Sequence, residues 1–415
     1  MKLRRNVLQP LRIVLDPGPV NGQQIASQCK ADYNATAHLG ATHATHRPTA
    51  LLEQYSQHRS NSVVGHLFHV ANRIHATVDS VVVLCRADAA LGAQAIAQAC
   101  TQPYWNHLSR AERGSKPRIF FIDDQSDNDS IQGLLHLLGA HRPTTRSSHP
   151  EDWALVVLSA EDEPDNAMWQ LEPLLNALKG QCANEAEQLA QRVIAVAPSR
   201  GSIAEQVRAI GSRDVYPCYE EPAPLQCFGP LGLLPATLLG VNIMELLAGA
   251  SWMSKHFHTA ALDENLVLRF LGWQARFASV GTVDDQIHLW NPGLEAWLRW
   301  QHALVPCGEL PATRPRGQRD ICIVIDRPKF DPIHFADGTT APDRLQQQVD
   351  QHEALLKKAN IPRAAIHLGE LDELHVGQLM QWMLLVSSSS KLGSSDSPIL
   401  NCEYSDASIN PETDG

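Results

Sequence analysis

Residues 153–159 read WALVVLS, an apolar run with no alternation of polar and apolar positions. A run this short and this evenly apolar suits a strand covered on both faces. Three runs of the same character accompany it: SVVVLCR at 80–86, RIFFID at 118–123 and RVIAVAP at 192–198. Between them, helix-like segments fall at 90–101, 128–139, 166–179 and 182–191, the third carrying a proline that would bend it. Strand and helix alternating at this interval predict βαβ units and a parallel sheet.

Outward from this block, residues 1–75 lack a strong period and form an expected N-terminal lead-in, with one short strand at Leu11–Leu15. The first α/β domain is expected over 76–217. Residues 218–237, CYEEPAPLQCFGPLGLLPAT, are dense in proline and glycine and read as a linker. A second α/β domain is expected over 238–386. It holds a helical stretch to 258, an aromatic-rich stretch at 268–300, strands at 320–326 and 363–369, and helices at 343–359 and 373–386. The Ser-rich and acidic remainder, 387–415, has little to bury and is expected to be mobile.

The chain has 415 residues, and 34 Lys and Arg against 45 Asp and Glu give a net charge of −11. That balance argues against binding nucleic acid or an anionic membrane through bulk charge. Nine cysteines are scattered, odd in number and nowhere in a CxxC. Neither a disulfide framework nor a zinc ribbon is indicated, so a reducing, cytoplasmic setting is expected. The start, MKLRRNVLQPLRIVLDPG, has no sustained apolar stretch, and no run elsewhere is long enough to span a bilayer.

In a parallel α/β sheet, ligands settle where strands lead into helix N-termini. After SVVVLC the turn reads Arg86-Ala87-Asp88-Ala89-Ala90-Leu91-Gly92, where only Gly92 offers the close backbone approach a phosphate wants. Asp88 reads as a cap for the following helix. After WALVVL, Ser159 is followed by Glu161, Asp162, Glu163 and Asp165. Carboxylates repel a phosphate, and at a helix N-terminus they are favoured with no ligand at all. Their spacing does not match an EF-hand, so a solvated acidic turn is expected.

His38, His43 and His46 cluster in sequence without a helical period or an HExxH, and read as surface residues; no metal or cofactor is expected. Cys307 has His302 five residues before it but no sign of activation, and there is no GxSxG. Trp297, Trp300 and Leu304 share one helix face and read as core. Arg314, Arg316 and Arg319 form the one local basic cluster and are candidate anion contacts.

PYWNHLSRAERGSKPRIFF at 103–121, NDSIQGLLHLLG at 128–139 and GPLGLLPATLLGVNIMELLAGA at 229–250 resemble the corresponding stretches of bacterial glucose-6-phosphate isomerases. With gaps, the resemblance runs from about Val81 to Gln381. It implies two sugar-isomerase-type domains, each a parallel sheet flanked by helices in three α/β/α layers. A phosphosugar would lie between them in a homodimer, or in a heterodimer with a paralogue. The family interconverts glucose 6-phosphate and fructose 6-phosphate through an enediol, without a metal, using a carboxylate base and hydroxyl-rich phosphate loops.

Position by position, the chemistry of that family is missing here. Its glycine-rich turn falls on Cys85-Arg86-Ala87-Asp88-Ala89, and its phosphate loop on Ser159-Ala160-Glu161-Asp162-Glu163-Pro164, keeping one hydroxyl. The arginine before its GLLP block falls near Pro224. Its catalytic glutamate aligns with Cys307, leaving Glu309 as a displaced candidate base. Its histidine segment is shortened to ATRPRGQRD, and its terminal lysine helix would follow Ile409-Asn410-Pro411, close to the last residue, Gly415.

The expectation is a diverged homologue that has lost the family's catalytic and phosphate-binding residues while its packing motifs survive. It would bind a sugar phosphate or serve as a dimer partner. The alternatives are an active isomerase using Glu309 with Arg314, Arg316 and Arg319, and a regulatory subunit for an active paralogue.

Overall fold

The computed structural model describes residues 10–16, 41–86, 88–139, 152–162, 168–278, 283–304 and 317–390. Strand β1 (Arg12–Asp16) is followed by helices α1 (Ala41–His58) and α2 (Val63–Thr77). Next come β2 (Ser80–Cys85), α3 (Leu91–Cys100), β3 (Arg118–Asp123), α4 (Asn128–Leu137) and β4 (Trp153–Leu158). Helices α5 (Leu171–Gln181) and α6 (Ala186–Arg192) lead to β5 (Val193–Ala197), α7 (Ser202–Ala209) and β6 (Val215–Pro217). Strands β2 to β6 form one parallel sheet in the order β3-β2-β4-β5-β6.

All six residues of β2 and of β4, and all five of β5, are buried. That burial is the physical counterpart of their unbroken apolar sequences, because helices cover both faces. On one face, Val82, Leu84, Leu155 and Val157 pack with residues of α4, α5 and α7. The alternate residues Val81, Val83, Ala154 and Val156 face the other way, into the larger core.

The chain continues through α8 (Pro230–Leu239), α9 (Ile243–Thr259), α10 (Leu266–Ala278) and β7 (Val283–Leu289). The described residues continue with α11 (Glu295–Leu304), β8 (Gly317–Arg327), α12 (Ala341–Lys358), β9 (Arg363–Glu370) and α13 (Glu373–Ser390). The second sheet has the order β1-β9-β8-β7, parallel except for β1, which runs antiparallel to β9. The architecture is α/β, two mostly parallel sheets flanked by helices.

The larger core is shared. It runs from Val81 and Val156 in the first sheet, through Leu234, Leu246 and Trp382 on the helices between, to Ile323 and Ile366 in the second. Two glycines make the central crossing possible. An added Cβ at Gly249 on α9 would stand 1.9 Å from the Leu374 carbonyl oxygen, and one at Gly377 on α13 would stand 2.0 Å from that of Leu246. Only hydrogen at those positions lets the two backbones lie in contact. Gly249 belongs to the LLAGA stretch, whose sequence is therefore dictated by packing.

Several expectations shift. The lead-in carries α1 and α2, whose Leu51, Val64, Leu67, Val70 and Ile74 are buried in the shared core. In the stretch read as a linker, Pro230–Leu239 is a helix with all ten residues buried. The apolar pattern predicts that the last helix stops at 386, yet α13 continues to Ser390, and Ser387, Ser388 and Ser389 are buried. The Ser387 hydroxyl donates to the Leu304 carbonyl at 3.3 Å, so serine there closes a helix against a neighbour. Trp297, Trp300 and Leu304 are core residues, as their spacing predicts.

Candidate functional site

In the first sheet the strand order reverses between β2 and β4, since the chain goes from β2 outward to β3 and returns on the other side with β4. Such a switch point opens a crevice at the carboxyl ends of the two strands. Here Cys85 and Leu158 are partners at the last register position, so Arg86 and Ser159 stand at the mouth.

Ser159 is buried, and its hydroxyl donates to the Glu161 carbonyl at 2.7 Å. Its own N–H donates to the Val196 carbonyl at 2.9 Å. Both donors are therefore spent within the protein. Asp162 reaches across to the next turn, where its Oδ1 accepts the N–H of Ser202, the first residue of α7, at 3.0 Å. An exposed N–H at a helix start is where an anion would be held. The chain's own carboxylate takes that place.

The other turns on this edge are also acidic. Asp123 ends β3, accepts from Gln125 N–H and Ser126 Oγ, and is followed by Asp124. The Gln170 amide donates to the carbonyls of Asp124 and Ser126 and pins this turn. Burial pushes the Cys85 thiol well above its ordinary value, and Asp123, Asp124 and Asp88 add to the push. A site where carboxylates raise an acid's pKa carries negative potential. Arg86 and Arg200 are the basic residues of these turns.

Asp88 does not cap α3: the N-cap is Ala90, which makes no side-chain cap, and the Leu91 N–H donates to the Asp88 carbonyl. Ala89 is buried core, and Glu161 is exposed. Pro224 is buried, and its carbonyl accepts from the Trp300 indole at 2.8 Å. Arg319 is not on a solvated loop; it lies buried on β8, in a bidentate pair with Asp285, with Nη1 donating to the Gln274 carbonyl at 2.9 Å. Its donors are committed to Asp285 on β7 and to Gln274 on α10. Ala87, Glu163, Asp165, His38, Cys307, Glu309, Arg314 and Arg316 lie outside the described residues.

Beyond β6, the same edge opens into a cleft of about 1020 Å³ that no motif in the sequence announces. One wall is α1, with His43, His46, Arg47 and Gln54; the other is the loop carrying Tyr219 and Glu221. Arg47 is buried and ion-paired with Glu221, and its guanidinium stacks 3.7 Å from the centroid of the Tyr219 ring. Burial pushes the Tyr219 phenol above its ordinary value, against the pull of Arg47. The loop itself is held by Gln226, which accepts from the Tyr219 N–H at 2.9 Å and donates to the Tyr219 and Glu221 carbonyls. Arg47 Nη1 also reaches the Leu225 carbonyl at 3.5 Å, beside Pro224. A guanidinium thus comes near the position on which the family's arginine falls, but Glu221 neutralises it. The signal available in sequence was the spacing of His43, His46, Arg47, Ala50 and Gln54 on one helix face.

No protein-family model matches the chain. Among curated proteins, a glucose-6-phosphate isomerase from Lactiplantibacillus plantarum is 22% identical over 239 residues, covering 57% of this chain and 50% of the relative. One from Carboxydothermus hydrogenoformans is 27% identical over 184 residues, covering 44% and 37%. The chain spans half or less of the length of these two relatives. Among solved structures, a hypothetical protein from Thermus thermophilus is similar with a TM-score of 0.72 at 16% identity, over 92% of this chain and 94% of that one. A glucose-6-phosphate isomerase from Chlamydia trachomatis has a TM-score of 0.67 at 14% identity, over 89% and 80%. At these identities the structural likeness speaks for fold. Among the described residues no helix is long and apolar enough to cross a membrane.

Proposed function

We propose that this chain, a diverged member of the glucose-6-phosphate isomerase family, does not catalyse the isomerisation and acts by binding, as a sugar-phosphate-binding protein or a dimer partner. One observation carries the reading: the loop aligned with the family's phosphate loop is filled by the chain's own groups. Asp162 occupies the α7 N-terminus and the Ser159 hydroxyl is spent on Glu161. Two negative charges of a phosphate would have to enter beside Asp162, Asp123 and Asp124. At about 5 Å and an effective dielectric of about 20, each unit pair costs roughly 3 kcal/mol, which disfavours a phosphate at this switch point and leaves the cleft beside β6 as the place for a ligand.

Isomerisation also requires a positioned acid or base within hydrogen-bond reach of the substrate carbons. Among the described residues at the switch point, Asp162 and Asp123 are engaged in capping and turn formation, and the Cys85 thiol is held protonated by burial. The cleft beside β6 offers Tyr219, Glu221 and two imidazoles, a polar lining suited to recognition.

A coupled assay of the purified full chain with fructose 6-phosphate is expected to show no turnover above buffer. Clear turnover abolished by Glu309→Gln would instead establish the active enzyme with a displaced base. Melting curves with sugar phosphates separate the two binding roles, because any ligand of the native state raises its stability. A shift supports the sugar-phosphate role, and no shift together with a dimer in sedimentation supports the partner role. A monomer with neither shift nor turnover contradicts both.

A further inference from the structure

Away from this edge, three side chains converge from two strands of the second sheet and the helix α12. His288 on β7, Asp320 on β8 and His352 on α12 bring their ligand atoms within 4.8 Å of one another. His288 Nδ1 lies 2.5 Å and His352 Nε2 3.0 Å from the same oxygen, Asp320 Oδ2. Asp320 is 1% exposed, whereas the His288 side chain is 41% exposed and that of His352 21%. The anionic oxygen is at the floor, and the imidazoles form a rim with an opening to solvent.

The second carboxylate oxygen is engaged. Cys322 donates its S–H to Asp320 Oδ1 at 3.2 Å, and Arg363 Nε donates to Cys322 Sγ at 3.2 Å. Oδ2 is thereby turned toward the imidazoles, the role an outer shell plays around a ligand set. Both imidazoles thus face one oxygen, His288 through Nδ1 and His352 through Nε2.

We propose that His288, Asp320 and His352 bind one divalent transition-metal ion of the zinc class, with solvent at the open position. Bonds of about 2.0–2.1 Å in a tetrahedral site put neighbouring ligand atoms roughly 3.3 Å apart. The spacings of 2.5 and 3.0 Å here fall short of that value by little enough for side-chain rotation to form the site. Two imidazoles and one carboxylate select zinc, cobalt, nickel or copper over magnesium and calcium, which want more oxygen ligands. The ion would staple α12 to the sheet. The apolar contact beneath that helix is small, Cys322, Val324 and Val349 with Trp290 against them. Leu345 and Leu355 on the same helix face outward.

The test uses the full chain, freed of any affinity tag and stripped with a chelator. Calorimetric titration with Zn²⁺ is expected to show one saturable site that His288→Ala and His352→Gln each weaken by about 100-fold or more. A millimolar excess of Mg²⁺ should not compete. Cobalt should give visible ligand-field bands of a nitrogen and oxygen site and quench Trp290, whose ring centroid is 5.6 Å from that of His352. The cobalt spectrum is read on the parent protein, so it remains informative if a variant fails to fold. No saturable site in the parent, or unchanged Zn²⁺ affinity in folded variants of both histidines, overturns the proposal.

Discussion

The Asp162 carboxylate accepts the backbone N–H of Ser202 at 3.0 Å, tying the turn after β4 to the start of α7. Gly201 lies between them, and a Cβ there would stand 3.1 Å from Asp162 Oδ1. The contact is therefore a fitted cap made from outside the helix. Asp162→Ala should remove it and lower stability by about 1 kcal/mol in chemical denaturation, the usual worth of such a cap. An unchanged midpoint would mean that water caps α7 equally well.

Arg47 and Glu221 are both largely buried, and removing one leaves the other charged and unpaired. Arg47→Ala should cost about 3 kcal/mol. Arg47→Lys should recover only part, because an ammonium cannot both pair with Glu221 and lie flat on the Tyr219 ring. Equal denaturation midpoints for the lysine variant and the parent would contradict this.

At the α9–α13 crossing, Gly249→Ala would drive a methyl group against the Leu374 carbonyl. The helices would have to separate and open the core around Leu246 and Trp382. A loss of about 2–3 kcal/mol is expected, visible as a lower melting temperature. Gly180→Ala on α5, where an added Cβ meets nothing within 4 Å, is the control and should lose far less.

Burial lowers the pKa of His75, His256 and His302 below the ordinary imidazole value. The folded protein then binds fewer protons than the unfolded chain once the pH falls below about 6.5. Their contribution to stability is fully present above that value and is lost as the pH drops toward the lowered folded values. Urea midpoints measured from about pH 7.5 to about pH 5.5 should decline through the lower half of that range. His302→Gln should flatten the decline, since desolvation alone lowers this imidazole.

The first sheet was legible because β2, β4 and β5 carry unbroken apolar residues, which only a doubly covered strand requires. α1 was not, because Pro48 sits inside it and its buried face includes Thr45 and Arg47, polar groups whose partners are distant in sequence. β7 was hidden because VDDQIHL lacks a clear period; Asp285 is buried there only because Arg319 meets it from β8. The acidic character of the Ser159–Asp162 turn could be read directly, but its use as a cap could not, since Ser202 is 40 residues away. The same holds for the Tyr219 and Glu221 wall of the cleft beside β6 and for His288, Asp320 and His352, whose proximity is a product of tertiary structure.

The apolar residues that join the two sheets leave no seam between them. With Val81, Leu234 and Ile366 in one continuous interior, neither half can be expressed alone without baring a greasy wall. For the halves to swing open like jaws, that shared interior would have to part and meet water. A ligand that enters at the rim needs no such parting.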